Sequence, residues 1–157
     1  MPKWTARRAV AVSGRVFVDT GAWIALFSAR DAHHNEAERL FRYAASRRVK
    51  LLTTNLVLTE LHRLLLFRAG VRPAGAALAH VDDSALVTVD FPGNADHRAA
   101  RDWLAKLANH PVTYTDAISF ALMQSKGCRQ VLTFDSDFST AGFERWEPQT
   151  RPASSRH

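Results

Sequence analysis

The sequence predicts a three-layer α/β/α fold around a central, mainly parallel sheet, and three observations point there. Short uninterrupted apolar runs such as Val16-Phe17-Val18 read as strands buried on both faces, as in parallel sheets covered by helices. Segments with apolar residues three and four apart separate these runs, which implies right-handed βαβ crossovers. A length of 157 residues, 46% hydrophobic and 23% charged, suits one domain with one continuous core.

Taken in order, residues 1–14 form a basic, weakly patterned leader. Arg15–Asp19 is the first strand, and Thr20-Gly21 marks a turn after it. Ala22–Ser28 continues as a short helix and Asp31–Ser46 as a second, in which Ala37, Leu40, Phe41 and Ala44 recur at helical spacing. Lys50–Thr53 is the second strand, and Thr53, Thr54 and Asn55 all offer cap oxygens to a helix over Leu56–Arg68, which Gly70 ends. Pro73–Asp82 reads as a helix, Leu86–Val89 as a strand, and Asn94–Ala108 as a helix opening on an Asn cap. Either Thr113 or Thr115 caps the helix that carries Asp116. Gln130–Thr133 is the next strand, Phe134–Phe138 the loop beyond it, and Phe143–Trp146 an edge strand. Residues 15–147 make the folded domain, and residues 148–157, with Pro, Ser and Arg but no apolar pattern, read as a disordered tail.

Lys+Arg 21 against Asp+Glu 15 leaves a net charge of +6, a field that attracts polyanions, nucleic acid first among them. The single cysteine, Cys128, excludes an intrachain disulfide and reads as a small buried residue in a reducing compartment. No apolar stretch approaches the roughly 18 residues needed to span a bilayer. The apolar run after Arg7-Arg8 is too short for a signal peptide, so the expected location is the cytoplasm.

Against this basic background, acidic residues stand where they are least expected. Asp19 follows three apolar strand residues, and Asp135 follows the VLTF run, with Asp137 two residues on. Glu60 lies four residues after Leu56 and four before Leu64, on the apolar side of its helix, and Asp116 stands at the mouth of another apolar helix. In open α/β sheets ligands gather beyond the carboxyl ends of the strands, where Asp19 and Asp135 fall. Carboxylates converging in a partly desolvated cleft repel one another and need a counter-charge. Arg63, three residues after Glu60, could pair with one acid but not offset four. The simplest counter-charge is a divalent cation, and hard oxygen donors without His or Cys select Mg²⁺ or Mn²⁺. Such a cation suits in-line displacement at a phosphodiester. His33-His34 read as solvated residues at a helix start, Asp82-Asp83 and Asp90 as loop acids, and Trp23, Phe27, Phe120 and Phe138 as core.

The segments VFVDTGAWIALF, TTNLVLTELHRLL, TYTDAISFALM and VLTFDSDFSTAGF, in that order, resemble the PIN-domain ribonucleases, and most closely the VapC-like toxins of toxin–antitoxin pairs. The resemblance implies a PIN-like α/β/α fold and Mg²⁺- or Mn²⁺-dependent endonucleolytic cleavage of RNA, leaving a 3′-hydroxyl and a 5′-phosphate. It matches Asp19, Glu60, Asp116 and Asp135 to the family's acidic quartet and Asp137 to a position that often adds a further acid. Asp19 and Asp116 would be the most direct metal ligands, with Glu60 and Asp135 completing the shell and orienting the attacking water. Thr20 would help to hold a metal-bound water. A homodimer and a cognate antitoxin that inserts a cationic segment into the acidic pocket are further implications. Gly21 departs from the Ser or Asn of many relatives, and the leader departs from relatives that begin almost at the first strand; it is either an added RNA-contacting arm or a misassigned start. Two other readings compete: a catalytically inactive PIN-like module that binds RNA or protein, and a Mg²⁺-dependent phosphatase of another α/β fold. The phosphatase is disfavoured because no DxDxT-like nucleophile motif follows the first strand.

Overall fold

Five parallel strands form one sheet in the order β3-β2-β1-β4-β5 in the computed structural model, which describes residues 14–148. The strands are β1 (Val16–Val18), β2 (Leu51–Thr54), β3 (Val87–Asp90), β4 (Gln130–Leu132) and β5 (Glu144–Arg145), each within a residue or two of its expected place. Leader residues 1–13 and tail residues 149–157 lie outside the described part. The helices are α1 (Thr20–Phe27), α2 (His34–Ser46), α3 (Asn55–Ala69), α4 (Val71–Asp83), α5 (Asn94–Lys106), α6 (Tyr114–Ser125) and the single turn α7 (Asp137–Thr140).

Strand order and handedness together divide the helices into layers. The chain moves outward from β1 to β2 to β3, then crosses back to β4 on the other side of β1. Right-handed crossovers therefore put α1 to α4 on one face and α5 to α7 on the opposite one. The packing agrees: α1 lies against α2 and α3, α3 against α4, and α5 against α6. Phe17 of β1 meets Phe138 of α7, which also meets Phe120 of α6, so this face closes on an aromatic cluster completed by Trp103 and Phe143. On the other face Trp23 of α1 stacks on Phe27 and leans on Phe41 of α2. Trp23, Phe120, Phe138 and Cys128 are buried, as expected of core residues, whereas Phe27 is only partly buried against that core.

Several boundaries differ from expectation, each for a local reason. Thr20 and Gly21 are not a turn: α1 starts immediately after Asp19, whose Oδ1 accepts the Ala22 backbone N–H at 2.8 Å and so caps the helix. Gly70, at φ +99°, ends α3 and begins α4 at once, so α4 starts at Val71 and Pro73 falls in its first turn, where a missing N–H costs little. The cap of α5 is Gly93 rather than Asn94, because Asp96 Oδ2 reaches back to the Gly93 N–H at 2.9 Å. Phe134–Phe138, read as loop, contains the start of α7. Among the described residues no helix is long and apolar enough to cross a membrane.

Candidate active site

The strand order reverses between β1 and β4, and the acidic residues gather beyond the carboxyl ends of those two strands. That is the switch point at which open α/β sheets bind ligands. A cleft of about 380 Å³ there is lined by Asp19, Thr20, Gly21, Asp31, His33, Glu60, Thr113, Asp116, Phe134 and Asp135. Asp19, Glu60, Asp116 and Asp135, 19 to 116 positions apart in the sequence, are thus brought to one place by four separate elements: β1, α3, α6 and the end of β4.

Each carboxylate is positioned by identifiable bonds. The register that pairs Val18 with Leu132 brings Asp19 beside Thr133, whose hydroxyl donates to Asp19 Oδ2. The same Thr133 oxygen accepts the Asp135 backbone N–H at 3.0 Å, so one hydroxyl ties both strand-end acids together. Thr54 caps α3 by accepting the Val57 N–H at 3.1 Å, and two turns later Glu60 Oε2 accepts the Thr20 hydroxyl at 3.0 Å. Arg63, which by spacing could pair with Glu60, instead reaches along the exposed face of α3 to the Phe67 ring, 5.9 Å from its centroid. Thr113, one of the two expected caps, accepts the Asp116 N–H at 3.1 Å and fixes the start of α6.

The electrostatics follow from burial. Asp19 is only 6% exposed, and burial pushes its carboxyl up from 3.8 to about 7. The bonds from Thr133 and Ala22 pull the other way, while the charges of Asp116 and Asp135 add to the rise. Burial likewise raises Asp116 to about 6, opposed by hydrogen bonding at Thr113 and reinforced by Glu60 and Asp135. Among the described residues no Lys or Arg lines the cleft. Asp137 sits outside it, in the first turn of α7, where its N–H donates to Asp135 Oδ1 at 3.0 Å; partial burial and the Asp135 charge raise its pKa.

The donor chemistry fits a hard divalent cation: carboxylate oxygens with no Lys or Arg beside them among the described residues lining the cleft. The set is not closed as it stands. Asp19 and Glu60 are held by hydrogen bonds to the protein, and among the described residues no three His, Cys, Asp or Glu side chains are drawn into a ready-made coordination group. Gly21 leaves the rim open, since an added Cβ would come no nearer than 3.7 Å to Asp19 Oδ1, an ordinary contact.

Sequence reasoning missed Asp31, His33, Thr113 as a lining residue, Phe134 and the bridging Thr133. His33 was expected in solvent, and it is exposed, yet it also forms part of the cleft wall. The only sequence signal for it was Asp31 two residues earlier, whose Oδ1 accepts the His33 N–H at 2.9 Å.

The model of the PIN domain matches residues 16–144. The 23S rRNA-specific endonuclease VapC20 of Mycobacterium tuberculosis is 40% identical over 134 residues, covering 85% of this chain and 99% of that protein. A VapC ribonuclease of Archaeoglobus fulgidus is 26% identical over 134 residues, covering 83% of this chain and 84% of that one. The crystal structure of the M. tuberculosis VapC20, described as a sarcin–ricin loop cleaving toxin, superposes with a TM-score of 0.77 at 39% identity, over 85% of this chain and 99% of that one.

Proposed function

The chain belongs to the PIN-domain family, and from that premise we propose that it is a divalent-metal-dependent endoribonuclease acting as the toxin of a toxin–antitoxin pair. The observation that carries this reading is the gathering of Asp19, Glu60, Asp116 and Asp135 in one cleft that, among the described residues, no Lys or Arg lines. Charged carboxylates repel one another in such a cleft, and a cation entering it would relieve that repulsion.

Asp19 and Asp116 are the residues to hold the cation, with Glu60 and Asp135 completing the set and Asp137 adding a further carboxylate at its edge. Mg²⁺ is the preferred ion and Mn²⁺ its substitute, given oxygen donors alone. When bound, the ion would supply positive charge against the negative charge that builds on the phosphodiester oxygens and would make water a better nucleophile. Glu60, steadied by the Thr20 hydroxyl, and Asp135, steadied through Thr133, orient the attacking water. The water oxygen bonds to phosphorus as the bond to the 3′ oxygen breaks, leaving a 3′-hydroxyl and a 5′-phosphate.

Five of the six surplus positive charges belong to Lys3, Arg7, Arg8, Arg151 and Arg156, so residues 14–148 are nearly balanced in charge. Non-specific attraction to the RNA backbone would therefore come mainly from the two terminal segments. Large-subunit rRNA is the first substrate to test, because that is the target named for the similar M. tuberculosis protein. A homodimer, a cognate antitoxin placing a cation in the cleft, and a cytoplasmic location complete the proposal.

Incubating the purified protein with total RNA, and separately with a phosphomonoester, tests the reading. Discrete RNA cuts in Mg²⁺ or Mn²⁺, abolished by EDTA, with no phosphate released from the monoester, are expected. Intact RNA in Mn²⁺ would overturn it in favour of a non-catalytic binding module.

A further inference from the structure

His33 and Phe134 stack face to face at the cleft, with ring centroids 4.5 Å apart and planes 1° from parallel. Both rings line the acidic pocket. They come from unrelated segments, the loop before α2 and the residue just before Asp135, so the pair is made by the tertiary fold. The placement is fixed from several sides. Asp31 Oδ1 holds the His33 backbone N–H at 2.9 Å, and the next residue, His34, is pinned through Nδ1 to the Ala25 carbonyl at 2.7 Å. The Arg145 guanidinium lies 5.5 Å from the Phe134 centroid and is itself held by Glu36 at 3.4 Å.

Parallel stacking of two rings at an exposed rim adds little to folding, because His33 stays open to solvent. Nucleobases, in contrast, gain about 1–3 kcal/mol by stacking on such a platform, and any base can do so. Sequence-specific RNA recognition mostly uses unpaired loop bases that can be splayed onto aromatic and guanidinium planes. The platform adjoins Asp135, so a base resting on it would sit next to the phosphodiester presented to the carboxylates.

We propose that the His33–Phe134 pair, backed by Arg145, stacks on an unpaired base flanking the scissile phosphate and so selects loop RNA over duplex. This rests on the ribonuclease reading above and adds a substrate-positioning role to it. The pair contributes through ring planes, not through proton transfer, so another aromatic residue at position 33 should serve.

The test maps the wild-type cut in total RNA and resynthesises the cut segment as a short hairpin. Matched hairpins then carry an abasic nucleotide on one or the other side of the cut bond. His33→Ala and Phe134→Ala should each lower kcat/KM on the intact hairpin by about tenfold or more, as one lost stacking contact implies. His33→Phe should restore the rate. One abasic hairpin should cost the wild type a similar factor and cost His33→Ala nothing further, which a merely structural role would not produce. Equal rates for wild type and His33→Ala on the intact hairpin, or equal added losses on every abasic hairpin, would overturn the platform while leaving the nuclease reading standing. Absence of any wild-type cut would instead overturn the nuclease reading, and the platform with it.

Discussion

Asp116→Asn protein should cut RNA at least about a thousandfold more slowly than wild type, because a metal site contributes several kcal/mol of charge stabilisation and each 1.4 kcal/mol is a decade in rate. The substitution removes charge with almost no change in shape. The Asp116 backbone N–H still donates to Thr113, so the start of α6 survives. The carboxyl being lost is one that burial and the neighbouring Glu60 and Asp135 have already raised to about 6, so without metal the variant should fold as well as wild type or better. Single-turnover cleavage of the mapped RNA, alongside thermal melts in EDTA, measures both halves. Wild-type rates from Asp116→Asn would remove that residue from the proposed metal set.

Asp19→Asn should reveal how much stability the acidic cleft costs. The folded-state pKa of Asp19 is raised from 3.8 to about 7, so the folded protein binds its proton more tightly than the unfolded chain does. Below about pH 4 both states are protonated and there is no penalty. As pH rises towards 7 the unfolded chain ionises freely while the folded one resists, and stability falls. The full difference corresponds to on the order of 4 kcal/mol, or roughly 10 °C in melting temperature for a chain of this size. Asn keeps the Ala22 cap through its carbonyl oxygen and cannot ionise, so in EDTA the variant should melt with wild type near pH 4 and well above it at pH 7.5. Saturating Mg²⁺ should narrow the gap by stabilising only the wild-type cleft. A gap independent of pH would mean that Asp19 is not the penalised group.

The acidic site was legible because a carboxylate after an apolar strand, or on the apolar side of a helix, has few innocent explanations. Asp19, Glu60, Asp116 and Asp135 could each be named from their immediate neighbours, and the alternation of strand and helix placed them at one edge of a sheet. What the sequence did not disclose were relations across the chain. Thr133 meets Asp19 across 114 positions, and only the return of the chain from β3 to the far side of β1 makes them neighbours. His33 and Phe134 are likewise 101 residues apart and carry no local pattern that would pair them. Helical spacing left open a pair between Glu60 and Arg63, and only the fold shows that Glu60 takes the Thr20 hydroxyl while Arg63 turns to Phe67. The Thr20-Gly21 turn failed for a related reason: the residue read as a ligand at the strand end is at the same time the cap that starts the helix at once.

The most direct measurement is a titration of the metal-free protein with Mn²⁺ at pH 8, followed by the electron paramagnetic resonance signal of the free ion. Wild type should remove at least one equivalent of that signal, and both Asp19→Asn and Asp116→Asn should remove far less. A signal as strong with wild type as in buffer, or uptake equal in all three proteins, would contradict a cation-holding acidic cleft between β1 and β4.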